Sequence, residues 1–306
     1  MNFAQLEYII AVDTVKHFAK AADLSFVTQP TLSMMIKKLE QELGVQIFDR
    51  SEFPVRTTKA GRQVIQQAKA ILLEKERMTE MLNQEKTSLE GTFRLGIIPT
   101  LAPYLLPLFI PSFVEKYQGI QLEVVELTTD RILADLHDNS LDAAILATPL
   151  LKENIDEIKL FDERFFLYSD MPDHKNYIIP TEINLERLLL LEEGHCLRTQ
   201  ALNLCEMQEK VHQSLSYRIG SIETLMNLVD KGQGSTIIPE LAISHLVPSR
   251  SKKVISFSDP VPTRQISLIK HASLLKHAII SVLIEEIVSS LPKSILQNKP
   301  SYTVPI

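Results

Sequence analysis

Cysteine is scarce: the 306 residues contain two, Cys196 and Cys205. In a reduced compartment a lone pair is not a structural staple, so a redox or merely buried role is expected. There is no CxxC, which removes thioredoxin-like and zinc-ribbon readings, and no metal or cofactor is expected. No apolar run approaches the roughly 20 residues needed to span a bilayer. The opening MNFAQLEYII lacks a basic n-region and a small-residue cleavage site, so it does not read as a secretion signal. A cytoplasmic protein with no membrane partner is expected. A positive charge excess is missing too. With 32 Lys+Arg against 38 Asp+Glu the net charge is −6, which argues against a chain that is basic overall but not against a small local nucleic-acid patch. Internal repeats and low-complexity tracts are absent.

What is present is ordinary globular composition, 45% apolar and 23% charged, in a chain longer than one compact core usually takes. Residues 1–60 read as short helices with tight breaks. Leu6, Ile9, Ile10 and Ala11 form a first amphipathic stripe, and Phe18, Ala19, Ala21, Ala22 and Leu24 a second, Ala-rich one. Residues 25–29 break it. Pro30 suits the first turn of a third helix, where its missing N–H costs nothing. That helix carries Leu32, Ile36, Leu39 and Leu43 and stops at Gly44. Two short β-prone stretches, 45–48 and 55–57, follow around a polar tip. This is the order of a winged helix-turn-helix.

From residue 58 to about 84 there is no proline, and Gly61 is the one glycine. Val64, Ala68, Ile71, Met78 and Leu82 make an a/d-like stripe interrupted by Lys75. Residues 61–90 are therefore expected to be a linker and dimerisation helix pairing with a second copy. After Glu90-Gly91 the pattern alternates. Strands are expected at 93–98, 122–127, 143–147, 165–168, 188–191, 236–238 and 266–269, with helices at 104–117, 132–138, 222–231 and 275–290. This predicts an α/β region with parallel sheets over 91–306, large enough for two lobes and a cleft. The tail from residue 292 is expected to be poorly ordered.

The run Val27-Thr28-Gln29-Pro30-Thr31-Leu32-Ser33, with Ile36, Leu39-Glu40, Leu43-Gly44, Ile47-Phe48, Arg50 and Thr58-Lys59-Ala60-Gly61, resembles the DNA-binding domain of LysR-type regulators over about 60 residues. Thr28, Gln29, Thr31 and Ser33 put short polar groups around Pro30 at a helix N-terminus. There they reach base edges while backbone N–H groups face phosphate. Lys37, Lys38, Arg50, Arg56, Lys59 and Arg62 are candidates for backbone contacts that position without reading sequence. For any one cation a solvated surface charge is an equal reading. Thr58 joins the DNA-binding set through the shared motif. The first 62 residues carry 8 basic and 7 acidic side chains, so binding must rest on placement and not bulk charge.

The second signal is His195-Cys196-Leu197-Arg198, with Cys205 nine residues after Cys196. Two cysteines in an intracellular domain are more often inert than a switch. Here, however, Cys196 follows the break Glu192-Glu193-Gly194 and precedes a helical run over 197–207. A helix N-terminus lowers a thiol pKa, as do Arg198 and a charged His195. Cys205 lies close enough in sequence to act as a resolving thiol.

The stretch 189–205, LLLEEGHCLRTQALNLC, narrows the resemblance to the peroxide-sensing OxyR group of the LysR type. Ile98-Pro99-Thr100, Pro103-Tyr104-Leu105-Leu106-Pro107, Leu160-Phe161-Asp162-Glu163 and Ser221-x-Glu223-Thr224-Leu225 agree with it. The similarity runs from residue 1 to about 270. It implies a winged helix-turn-helix, a linker helix and a two-lobed α/β sensing domain resembling periplasmic binding proteins. It also implies that Cys196 reacts with hydrogen peroxide and Cys205 resolves it to a disulfide. By the same resemblance Thr100, Thr129 and His195 help hold the peroxide, Arg198 lies beside the thiolate and Arg264 near the reduced thiol. The family usually has Asp after that Arg, where this chain has Thr199. The loss of a carboxylate there is expected to change the Cys196 pKa and the sensitivity, not the reaction class.

The chemistry is coherent apart from any resemblance. A thiolate attacking the O–O bond expels hydroxide, so hydroxyls and a cation should converge on the leaving oxygen. Ordinary cap or loop hydrogen bonding is the bland reading of both threonines, and a satisfied loop histidine that of His195. The leading expectation is a peroxide-responsive transcription regulator, not an enzyme in turnover. Its expected partners are double-stranded promoter DNA, hydrogen peroxide, a second copy or a tetramer, and RNA polymerase. The alternatives are a LysR-type regulator with a small organic effector and incidental cysteines, and a thiol peroxidase, which has no use for the first 60 residues.

Overall fold

Side-chain caps and one glycine set the ends of the helices in the first part of the chain. The computed structural model describes all residues except 52, 84–88, 171–176, 206–218, 245, 275 and 299–301, and structural statements here concern the described residues. The chain divides into two compact units, Met1–Thr87 and Ser88–Ile306.

In the first unit, α1 (Phe3–Val15) opens on a capping box. Gln5 N donates to Asn2 Oδ1 (3.0 Å) and Asn2 N to Gln5 Oε1 (2.9 Å). The His17 ring nitrogen Nδ1 accepts from Ala19 N at the start of α2 (Phe18–Leu24). Thr28 caps α3 (Gln29–Leu43), which ends at Gly44 with φ 68°, a left-handed conformation that favours glycine. Strand β1 (Phe48–Asp49) pairs antiparallel with β2 (Arg56–Thr57), and α4 (Lys59–Asn83) follows. Gly61 has no room for a side chain, since an added Cβ would lie 2.1 Å from Ile47 O. Leu6, Ile9, Val12, Leu32, Ile36, Leu39 and Ile47 form the core.

Helix α4 uses its first turns differently from the expected stripe. Ala68 is buried in the unit's own core and Val64 packs against it, beside Ile65, which the stripe left out. Ile71 and Met78 are exposed. The side chain of Leu82 and residue 84 lie outside the described residues. The reason is that an α-helix repeats every 3.6 residues, so one apolar stripe serves the domain core at its start and a different surface further on.

In the second unit β3 (Gly91–Ile97), α5 (Ala102–Lys116), β4 (Ile120–Glu126), α6 (Thr129–His137) and β5 (Ala143–Thr148) form a parallel set, with β3 between β4 and β5. The fifteen-residue β6 (Ile155–Ser169) then joins two sheets. Residues 155–164 pair antiparallel with β10 (Pro262–His271), and residues 165–169 with β8 (Ser235–Pro239). Strand β9 (Val254–Phe257) lies on the other side of that end of β6 and pairs with β7 (Tyr177–Ile178). Helices α7 (Cys196–Leu204) and α8 (Ile222–Asp230) belong to the β8 side. The short α9 (Glu240–Ile243) and α10 (Pro248–Ser251) follow β8, and α11 (His277–Ser290) packs on α5. Two lobes joined by long crossing strands result, a mixed α/β fold.

Three expectations need correction. The sheet is mixed, not parallel, because β10 runs antiparallel to both β5 and β6. Residues 188–191 form no strand. Leu188 makes one isolated bridge to Ser235, while Leu190 and Leu191 are buried as a loop. The tail is ordered where described: α12 (Lys293–Leu296) buries Ile295, and β11 (Tyr302–Thr303) lies parallel to β10 with Val304 fully buried. Its few apolar residues fill slots that local sequence does not reveal. Leu275 and Met207, named at the ends of expected helices, lie outside the described residues; α11 starts at His277 and α7 ends at Leu204.

Candidate functional site

Cys196 is the first residue of α7, after the turn at Gly194 (φ 91°), and its side chain is buried. Burial pushes its thiol pKa up. The Arg264 charge, the backbone N–H groups of Leu197 and Cys196, and a hydrogen bond with the Thr129 side chain oppose that rise. The N-terminal position was expected to give a net lowering; desolvation by burial outweighs it.

The cation facing the thiol comes from across the fold. Arg264 on β10 is fully buried, and its Nε donates to Glu163 Oε2 on β6 at 2.8 Å. Its Nη1 donates to Thr100 Oγ1 (3.2 Å) and Nη2 to the Thr100 carbonyl (3.4 Å). Glu163 Oε1 accepts from Leu241 N (2.8 Å). Burial pushes the Glu163 carboxyl up, against the pull of Arg264 and the Leu241 N–H. A buried ion pair with its remaining valences bonded is the arrangement that compensates desolvation. Arg264 is thereby held as a fixed charge between a carboxylate and the Thr100 loop.

The other expected residues divide. Thr129 starts α6 and bonds Cys196. His195, the residue before Cys196, is buried. Burial holds it toward its neutral form, with Glu192, 3.9 Å from Nε2, pulling the other way. The neutral ring is then an acceptor and donor instead of a charge. Arg198 is held by its own loop, its Nη1 donating to Leu191 O (2.8 Å), while Arg264 is the cation among the largest influences on Cys196. Thr199 is exposed on α7. Cys205 caps the far end of α7, half-buried, and burial pushes its thiol up to about 11. A cavity of about 10 Å³ under α7, lined by Leu189, Leu197, Ala201, Leu225 and Ile237, has room for one water.

Glu163 is the site residue that the sequence did not assign a role. Its signal was a charged cluster, Asp162-Glu163-Arg164, interrupting the apolar stretch LFDERFFLY, because a carboxylate carried into a core demands a partner.

In the first unit Thr28, Gln29, Pro30, Thr31 and Lys37 are exposed along the start and outer face of α3, with Ser33 half-buried. The Thr28 and Thr31 hydroxyls lie 2.8 Å apart. Arg50 is committed inside the unit. Its Nη1 donates to Ser33 Oγ and Nη2 to Glu40 Oε2, both at 3.1 Å, and it lies over the Phe18 ring. Glu40 Oε1 also accepts from Ile47 N (2.8 Å) and Phe48 N (3.2 Å). Arg50 and Glu40 thus brace the hairpin against α3. Thr58 is committed too, donating to Gln46 O and accepting from Gly61 N at the start of α4. No helix among the described residues is long and apolar enough to cross a membrane.

Comparison with known proteins places both units. Residues 3–62 match the bacterial regulatory helix-turn-helix protein, lysR family, and residues 86–292 the LysR substrate binding domain. The DNA-binding transcriptional dual regulator OxyR of Escherichia coli (strain K12) is 38% identical over 275 residues, 88% of this chain and 89% of that one. The hydrogen peroxide-inducible genes activator of Dickeya chrysanthemi is 37% identical over 272 residues, 88% and 89% of the two chains. Among solved structures, a full-length cysteine variant of OxyR from Pseudomonas aeruginosa matches with TM-score 0.78 and 34% identity, covering 94% of this chain and 98% of that one. An H2O2-bound cysteine mutant of Corynebacterium glutamicum OxyR matches with TM-score 0.60 and 31% identity, covering 94% and 92%. With both halves matched and such identity along nearly the whole length, the chain belongs to the LysR family of bacterial regulators, in its OxyR group.

Proposed function

We propose that this chain is a hydrogen-peroxide-sensing transcription regulator that binds promoter DNA through α3 and switches when Cys196 is oxidised. The Cys196 thiolate attacks one peroxide oxygen. The O–O bond breaks, hydroxide leaves and takes a proton to become water, and Cys196 becomes a sulfenic acid. The Cys205 thiol then attacks that sulfur and releases a second water. Two thiols lose two electrons and two protons; one peroxide becomes two waters.

One observation carries the reading: the buried Cys196 thiol meets a fixed, buried Arg264 and the Thr129 hydroxyl, with Thr100 on the same guanidinium. The cation stabilises both the thiolate and the departing hydroxide, and neutral His195 offers a hydrogen bond without adding charge. The reaction is a stoichiometric signal, not turnover. Gln29, Thr31 and their neighbours read base edges, Lys37 contacts phosphate, and the exposed Ile71 and Met78 face of α4 pairs with a second copy. The assembly works in the cytoplasm.

The test is one equivalent of peroxide on the full chain, followed by non-reducing mass spectrometry and footprinting on its own upstream DNA. A Cys196–Cys205 disulfide and an altered footprint are expected. Unmodified cysteines with an unchanged footprint favour the organic-effector reading instead.

A further inference from the structure

The segment 302–306 touches both halves of the redox site. From α7, Gln200 Nε2 donates to Val304 O (3.3 Å) and Asn203 Nδ2 to Pro305 O (3.1 Å). On the segment's other side, Val304 N donates to Thr263 O (2.8 Å) and Thr263 Oγ1 to Tyr302 O (3.0 Å). Thr263 immediately precedes Arg264. The segment thus ties the helix that begins with Cys196 to the strand that carries its cation. Val304 is fully buried, and the stretch before it is anchored separately by Asn298, whose Nδ2 donates to Glu240 Oε2 (2.7 Å) and Asp162 O (3.2 Å).

Both α7 anchors lie inside the loop that a disulfide would close. Along an intact helix, Cys196 and Cys205 are separated by roughly 13 Å and lie on opposite faces, whereas a disulfide needs Cα atoms within about 7 Å. Closing the bond therefore unwinds α7 and carries Gln200 and Asn203 with it. Gln200 is fully buried, so a segment that leaves while α7 stays folded strands its amide without that acceptor, an outcome that buried polar groups resist. Helix and segment must leave together.

We infer that residues 302–306 form a strap that holds α7 folded in the dithiol state and is displaced when Cys196 and Cys205 join, so that the hold of the strap sets how oxidising the surroundings must be to close the disulfide. This rests on the peroxide-switch reading above. In a glutathione buffer the balanced exchange is one protein dithiol plus one glutathione disulfide giving one protein disulfide plus two glutathione thiols, and the strap weights the left side.

Two measurements on the full chain test it. The first needs no oxidation. In Cys196→Ser protein, removing residues 301–306 should raise amide exchange across α7 about tenfold or more, and Asn203→Ser, which keeps helix propensity nearly constant, about threefold to fivefold. The second titrates the disulfide in glutathione buffers. Asn203→Ser should move the midpoint about fivefold toward the reducing side, and the truncation further. Asn203 is exposed, so its variant carries both tests if the truncated chain does not fold. Unchanged α7 exchange, or a midpoint that stays put or moves to the oxidising side, overturns the strap. Wild-type protein that never forms the disulfide overturns the peroxide reading instead, and the exchange measurement still reports whether the segment holds the helix.

Discussion

Helices α3 and α7 both begin with residues that matter for function, yet they are stabilised in different ways. Helix α3 runs fifteen residues between its own stops: Thr28 accepts from Thr31 N, Pro30 pre-sets the first turn, and Gly44 closes the end in a left-handed conformation. Helix α7 has nine residues, no side-chain cap from His195 and no glycine at its end, where Cys205 sits at φ −88°. Helices shorter than roughly 12–15 residues are marginal on their own. What holds α7 is burial of Leu197, Ala201 and Leu204 and its bonds to residues 304 and 305. A helix closed by its own sequence is suited to presenting a fixed surface. A helix held by its neighbours is suited to being lost when one neighbour changes.

The strongest way to break this contrast is Cys196→Ser. It should abolish the peroxide response while operator binding by α3 persists, read by footprinting with and without peroxide. A footprint that still shifts would move the switch away from α7.

Arg264→Met comes next. It leaves Glu163 as an uncompensated buried carboxylate, and losing one partner of such a pair destabilises by about 3–5 kcal/mol, visible in thermal melts. Glu163→Leu added to Arg264→Met should restore most of that stability without restoring the peroxide rate. The pH dependence separates the two roles. Because burial raises the Cys196 thiol, the reactive thiolate is scarce at pH 7, and the rate with peroxide should climb from pH 7 to 9. Without the Arg264 charge the climb should begin at higher pH. The same shift stabilises the fold while the thiol is protonated, and that contribution is lost as pH rises past the ordinary thiol value. A flat profile in both proteins would remove Arg264 from the chemistry.

Gln29→Ala tests the rigid helix. It should weaken discrimination between operator and unrelated DNA by about 1–3 kcal/mol with folding intact, and unchanged discrimination would displace the reading face from the start of α3. The smallest effect is expected for Gly44→Ala, about 1 kcal/mol of stability lost from strain at positive φ, with peroxide reactivity untouched.

The halves of the molecule differ in how legible they were. In the first unit, cap residues, Pro30, Gly44 and the 4, 3, 4 spacing of Leu32, Ile36, Leu39 and Leu43 mark α3 by local rules, because a helix end is set by residues within four positions of it. The assignment of Arg50 to a phosphate was not decidable locally, since Glu40 and Ser33 claim its guanidinium from ten and seventeen residues away. In the second unit, spacing and composition mark Cys196 and Cys205 as a pair near a helix start. The direction of the Cys196 pKa and the part of Glu163 follow from burial and from β6 meeting β10, which no local pattern encodes.

By itself, then, the sequence determined what depends on neighbours along the chain: the capped helices, the wing turn, the thiol at a helix start and the absence of a spanning segment. Tertiary structure alone decided what depends on desolvation and long-range pairing. It buried Cys196, set Arg264 between Glu163 and Thr100 across 101 and 164 residues, and laid residues 302–306 beside β10 and α7. Charge and hydrogen-bond energies change with the dielectric and the partners that folding supplies, so the residue types at a site can be read before its electrostatics can.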